Sequence, residues 1–548
     1  MASAFRGRKA AAASVAVLAA AGLALAGCAS STPSGDGTDA PVANGELVLV
    51  GTTDKVTTLD PAGSYDNGSL AIQTQVFPYL FNTEYGSTEI QPDLAADLGT
   101  FTTPTDFEVK IRDGVKWANG SDLNAQDVAF SFNRQLAIAD PNGPSSLLYN
   151  LDSAEATDDT TVVFHLKAEN DVVFSQILTS FPGAIVDDEV FDATAVTPDD
   201  AIVEADAFGG PYAITSYTFN ETVELTPNAN YQGLLPAAAN GGVILSYYAD
   251  SSNLKLAIEQ GDVDVAYRSL SATDIEDLST DDNVKVVEGP GGEIRYIVFN
   301  FATQPYGSAQ ADADPAKALA VRQAVADLVD REALATQVYK GTYTPLYSYV
   351  PAGFVGAAEP LLDLYGDGEG GPDAEKAKAT LEAAGVTTPV VLNLQYNPDH
   401  YGPSSGDEYA LVKQQLEATG LFTVNLQSTE WVQYSKDRSS DVYPAYQLGW
   451  FPDYSDADNY LTPFFLIDNF LVNHYENQAV NDEILEQATT TDPAAREALI
   501  EKIQADVAAD LPTVPLLQGA QVAVTGKDVS GATLDGSFKF RFAPLVKG

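Results

Sequence analysis

The stretch Glu46-Leu47-Val48-Leu49-Val50-Gly51 decides the fold class. Its apolar residues follow one another without polar alternation, so both faces of a strand built from them must be covered. That is the condition of a strand inside a mostly parallel sheet flanked by helices. Gly51 closes the run, and Thr57-Thr58-Leu59-Asp60-Pro61 and a polar segment with Tyr65, Asp66 and Asn67 come next. Segments just past the C-terminal ends of such strands are where α/β proteins hold ligands.

Toward the N-terminus the chain is a targeting segment. Arg6, Arg8 and Lys9 precede the Ala/Leu/Val run Ala10 to Ala26, which is too short and too weakly flanked to span a bilayer. The run ends in Leu25-Ala26-Gly27-Cys28, which resembles a bacterial lipobox. Residues 1–27 therefore read as a lipoprotein signal, with Cys28 as the lipidated residue and the outer face of the cytoplasmic membrane as the expected location. Cys28 is the only cysteine, so the exported body contains no disulfide and depends on a large core. Residues 28–44, rich in Ser, Thr, Gly, Pro and Asp, read as a flexible tether.

The net charge is −49. That argues against nucleic acid or an anionic lipid surface as partner, since both need basic patches. His165, His400 and His474 lie far apart and lack metal-ligand spacing, so neither a metal nor a cofactor is expected.

Toward the C-terminus, Phe107–Arg112 alternates as a half-buried strand, Asn124 caps a helix with Asp127 in its first turn, and Thr161–Leu166 is another strand. Strands 262–267 and 295–300 and a helix at 253–260 follow. After Asn300 strands and helices alternate regularly. Helices are expected from Asp314-Pro315, from Asp330 to Lys340, from Asp373 to Ala384, around Tyr409–Leu416 and from Asp492-Pro493; strands are expected at 390–395 and 511–517. The pattern predicts at least two α/β lobes with a small α+β unit inserted into the first.

One segment mixes aromatic rings with turn formers and carboxylates: Gly449-Trp450-Phe451-Pro452-Asp453-Tyr454-Ser455-Asp456-Ala457-Asp458-Asn459-Tyr460. An acidic surface loop and a ligand-holding cleft segment both fit that chemistry. A calcium loop does not, because neither Gly nor Glu falls at the required spacing.

Several stretches, in order, carry a resemblance. They are Thr58-Leu59-Asp60-Pro61; Gln91-Pro92-Asp93-Leu94-Ala95; Ile111-Arg112-Asp113-Gly114-Val115-Lys116-Trp117; Asp127 to Arg134; Gly210-Pro211-Tyr212; Gly261-Asp262-Val263-Asp264-Val265; Val321-Arg322-Gln323-Ala324-Val325 with Asp330-Arg331-Glu332-Ala333-Leu334; and Gly449 to Tyr460. Together they resemble the bacterial extracellular solute-binding proteins of family 5, the peptide/nickel/opine class serving ABC importers.

The resemblance implies a two-lobed periplasmic-binding-protein-like fold with a hinge between the lobes. Lobe I would comprise 45–91, 208–298 and 516–548, the inserted domain 92–207, and lobe II 299–515. It implies a transport receptor, not an enzyme: a monomer that captures di- or oligopeptides and passes them to permease subunits served by cytoplasmic ATPases. Oligosaccharides, opines and metal complexes are the alternative ligands, and a secreted carboxylate-based hydrolase is the rival class. By position it implies Gly449, Trp450 and Phe451 against the ligand, Asp453 on its ammonium, and Tyr65 and Asn67 on the facing wall. Tyr296 would also face the cleft. No residue is assigned to a ligand carboxylate; Arg295 and Arg438 are candidates.

Overall fold

The computed structural model describes residues 45–548, apart from Ser269, Pro403 and the Val432 side chain. The signal, the tether and Cys28 lie outside the described residues.

Two sheets organise the chain. The first has seven strands, in the order Val284–Gly289, Gln521–Gly526, Val265–Tyr267, Leu47–Thr52, Gly242–Tyr247, Thr222–Pro227 and Tyr212–Thr218. Leu47–Thr52 is parallel to both of its neighbours, and Val48 and Val50 are completely buried. The sheet as a whole is mixed rather than mostly parallel, since the outer pairings are antiparallel. The tight turn joining Thr218 to Thr222 reverses the chain and permits only antiparallel pairing there.

The second sheet has six strands: Tyr343–Pro345, Thr513–Gly519, Ile294–Phe299, Ala445–Trp450, Val390–Tyr396 and Phe422–Ser428. Ile294–Phe299 lies between two antiparallel neighbours, and Val390–Tyr396 between two parallel ones. The chain therefore changes sheets between Gly289 and Ile294 and again between Gly519 and Gln521. These crossings touch: a Cβ on Gly291 would stand 2.1 Å from the Gly519 carbonyl oxygen, and Gln518 Nε2 donates to the Gly291 carbonyl.

A four-stranded antiparallel sheet of Thr100–Phe101, Asp106–Lys110, Thr161–Leu166 and Leu151–Asp158 is backed by the helix Ala125–Ile138. Trp117, Phe132 and Phe164 are fully buried in its core. Asn124 caps the helix, as expected. Asp127 completes a capping box and is itself buried, its second oxygen accepting the Asp188 N–H. The Leu59-Asp60-Pro61 turn is tied to this helix. Asp60, fully buried, receives both terminal nitrogens of the buried Arg134 at 2.8 and 2.5 Å, and also the Thr197 N–H.

Most helices form where capping residues announce them. Asp250, Asp314, Asp373 and Asp492 each accept N–H groups of a first turn. Two expectations change. Tyr65 to Asn67 is not all loop: Asp66 caps the helix Asn67–Val76, and Asn67 is its first residue. The helix expected from Asp330 to Lys340 is a short α-turn, Arg331–Ala333, widening into a π-type turn over Leu334–Val338.

Candidate functional site

A cavity of about 580 Å³ opens between the two sheets. Thr53, Asp54, Arg268, Val522 and Phe538 line it from the seven-stranded side; Glu293, Arg295, Tyr343, Tyr401 and Phe451 line it from the six-stranded side. Its walls thus combine aromatic faces with a few charged groups, the usual make-up of a small-molecule site.

The floor is a neutralised cluster. Arg295 gives Nε to Glu293 at 3.2 Å, Nη1 to Glu408 at 3.1 Å and Nη2 to the Tyr401 carbonyl, and lies against the rings of Tyr339, Tyr343 and Tyr401. Burial pushes the Glu408 carboxyl upward, against the pull of Arg295 and the Tyr339 hydroxyl. Tyr343 donates to Glu293 at 2.8 Å. With all three nitrogens committed, Arg295 acts as a structural group. His400, stacked on Trp431 at 3.8 Å, lines the same side; burial pushes its pKa down to about 4, so it is neutral at pH 7.

The sequence-expected residues divide. Phe451 forms part of the wall, between Arg268 and Phe538. Trp450 is half-buried; its indole N–H donates to Asn459 Oδ1 at 2.8 Å and its ring packs edge-on against Phe464 and Phe470. Gly449 pairs with Arg295 in the sheet, and its carbonyl accepts from the Tyr401 hydroxyl at 3.3 Å. Asp453 is buried behind this wall. The Tyr65 hydroxyl donates to its Oδ1 at 2.5 Å, Asn459 Nδ2 donates to its Oδ2 at 3.0 Å, and its own N–H donates to Asn459 Oδ1. Burial raises its pKa to about 6, opposed by the Asn459 and Tyr65 hydrogen bonds.

Tyr65 and Asp453 come from segments following strands of different sheets, so their bond bridges the lobes. Asn67 lines a small crevice behind Arg268 and Phe538, not the main cavity. Tyr296 is not on the wall. Its ring is buried in the core of the six-stranded sheet, edge-on to Phe464, and its hydroxyl has no hydrogen-bond partner among the described residues. Alternation along the strand explains this, since its neighbour Arg295 takes the cavity-facing position. Arg438 is buried over the Phe470 ring and donates to the Phe470 carbonyl, away from the cavity lining.

Asp456 and Asp458 differ from simple turn residues. Asp456 forms a two-pronged pair with Arg496 at 2.9 and 2.6 Å. Asp458 is fully buried, receives Tyr454, Thr462 and Gln487, and is raised by burial to about 6.

Sequence reasoning missed Arg268 and Phe538. Arg268 stands immediately past the C-terminal end of Val265–Tyr267, a strand parallel to Leu47–Thr52. The strand-end rule that singled out Tyr65 applies equally to it. Phe538 belongs to a C-terminal segment without a strand or helix of its own, and only tertiary structure brings it to the site.

Two lobes facing one another across an aromatic, partly charged cavity define a binding protein of the periplasmic type. The chain belongs to the bacterial extracellular solute-binding proteins, family 5, whose family profile matches residues 89–470. These are transport binding proteins, not enzymes. Over 526 residues the chain is 24% identical to the probable D,D-dipeptide-binding periplasmic protein DdpA of Escherichia coli, covering 93% of this chain and 95% of that protein. It is 26% identical to heme-binding protein A of Haemophilus influenzae over 489 residues, covering 84% of this chain and 85% of the relative. Among solved structures, the substrate-binding protein CtaP of Listeria monocytogenes superposes with a TM-score of 0.77 at 22% identity, over 92% of this chain and 99% of that one. The binding protein DppA of Helicobacter pylori, in complex with the peptide STSA, gives 0.72 at 21% identity, over 92% and 98%.

Proposed function

We propose that this protein captures short peptides outside the cell and hands them to an ABC permease. The observation that carries the reading is the cavity between the sheets, whose aromatic walls and charged groups come from both lobes. Its size suits a short peptide, and the likeness to dipeptide-binding relatives supports the same ligand class.

In this reading Asp453 is the anchor for the peptide ammonium, and Gly449, Trp450 and Phe451 form the rim beside it. Tyr65 is the gate: its hydroxyl occupies one Asp453 oxygen, and an arriving ammonium competes with it. Residues 45–91, 208–298 and 516–548 serve as one jaw and 299–515 as the other, with the strand residues 294–298 and 516–519 lying in the sheet of the second. The protein works as a monomer tethered through Cys28.

Mass spectrometry of the ligand released from protein purified out of its native host tests the reading. Peptides are expected; a neutral sugar or a metal complex would overturn it. For the tether, a Cys28→Ser precursor should leave the membrane fraction, and its persistence on salt-washed membranes would refute the anchor.

A further inference from the structure

We infer that Arg268 receives an anionic group of the ligand, which for a peptide is the C-terminal carboxylate. This rests on the peptide reading above and adds the partner for the ligand's other end.

Of the two arginines lining the cavity, Arg268 has the fewer ion-pair partners. Arg295 has all its nitrogens engaged, and His400 is neutral at pH 7. Arg268 pairs with Asp54, its Nε lying 2.7 Å from Oδ2 without the alignment of a hydrogen bond. Asp54 is its only ion-pair partner among the described residues, and the Tyr267 hydroxyl lies alongside. A guanidinium with one carboxylate on its Nε side still carries two terminal nitrogens in a fork, the geometry that matches a carboxylate.

The side chain is also positioned for this task. Its guanidinium lies over Phe451 at 5.2 Å and over Phe538 at 4.8 Å, so two rings from opposite sides of the cavity hold the fork in place. Both Arg268 and Phe538 have left-handed backbones, with φ of +59° and +61°. Such conformations are costly for residues with side chains and cluster at ligand clamps. Asp54 keeps the unliganded pair near neutrality, so the arginine is not left as an isolated charge beneath the aromatic rings.

The alternative role is mechanical. Arg268 reaches Phe451 across the cavity and would then fasten the lobes whatever the ligand carries. One experiment separates the two roles. The full chain, freed of ligand by denaturation and refolding, is titrated with an equimolar tripeptide library, with the same library C-amidated, and with it N-acetylated.

Wild type is expected to lose at least about tenfold in affinity on amidation, as expected for a charge-assisted pair. In Arg268→Gln the free and amidated libraries should bind alike, while the N-acetylation penalty remains. If amidation costs wild type nothing, the assignment is overturned and the peptide reading stands. If wild type binds none of the libraries, both fall. If Arg268→Gln weakens all arms equally and keeps the preference for free carboxylate, Arg268 is a fastener only. Should Arg268→Gln fail to fold, Arg268→Lys decides: retaining a charge without the fork, it should show a smaller amidation penalty than wild type, and an unchanged penalty refutes the assignment.

Discussion

At the scale of single residues, Asp453 shows how burial turns a common side chain into a tuned one. Its ordinary pKa of 3.8 rises to about 6 because the carboxylate is removed from water, and the hydrogen bonds from Asn459 and Tyr65 only partly offset that loss. The consequence for stability has a definite sign. Between about pH 4 and 6 the folded protein keeps a proton that the unfolded chain has released. The stabilisation from this group is complete below about pH 4 and is lost as pH rises through 6. Ligand binding should run the other way, because an ammonium pairs with the ionised form. Affinity for a free-amine peptide should fall as pH drops below 6, by up to about tenfold per unit. Asp453→Asn should bind roughly 30-fold to several thousandfold more weakly at pH 7.5, with a flat pH profile below that. Calorimetry at pH 5, 6 and 7.5 reads both. Equal affinities for wild type and Asp453→Asn at pH 7.5 would refute the anchor.

At the scale of elements, the chain joins distant segments with buried polar locks. The turn Leu59-Asp60-Pro61 and the helix Ala125–Ile138 are far apart in sequence, yet Asp60 and Arg134 are almost wholly buried against each other. Removing one partner of such a pair strands the other charge in the interior, which costs about 3–5 kcal/mol. Asp60→Asn should lower the unfolding free energy in urea by about that much. Adding Arg134→Met should recover part of the loss, because the stranded charge is then gone. A single-variant loss below about 1 kcal/mol would show that the pair is mere contact.

At the scale of the whole molecule, the two sheets are joined by the adjoining crossings near Gly291 and Gly519. On the cavity side, Tyr65–Asp453 and Arg268–Phe451 also bridge them. Few connections at one edge and breakable contacts at the other are what hinge closure requires. Solution scattering should therefore give a larger radius of gyration for ligand-free protein than for protein saturated with a bound tripeptide. An identical profile at verified saturation would exclude hinge closure. The large negative charge favours the open form through self-repulsion, so the difference should grow at low ionic strength.

By itself the sequence determined the elements and the class. Glu46–Gly51 marked a strand whose Val48 and Val50 are fully buried although Leu47 on its other face stays exposed, Asn124, Asp314 and Asp492 marked helix starts, and the ordered motifs pointed to a family whose profile matches. These features are local, so composition and spacing carry them. Tertiary structure alone decided which polar groups have spare bonding capacity. Arg295 and Arg438 looked alike as candidates, yet one is saturated by Glu293, Glu408 and Tyr401, and the other is buried away from the cavity. Tyr296 turned into the core because strand alternation gave the cavity face to Arg295. Arg268 became a cation of the cavity wall only when Phe538, some 270 residues further along the chain, closed over it. Whether a charge is spent or available depends on neighbours brought from anywhere in the chain, and no pattern within a single segment encodes that.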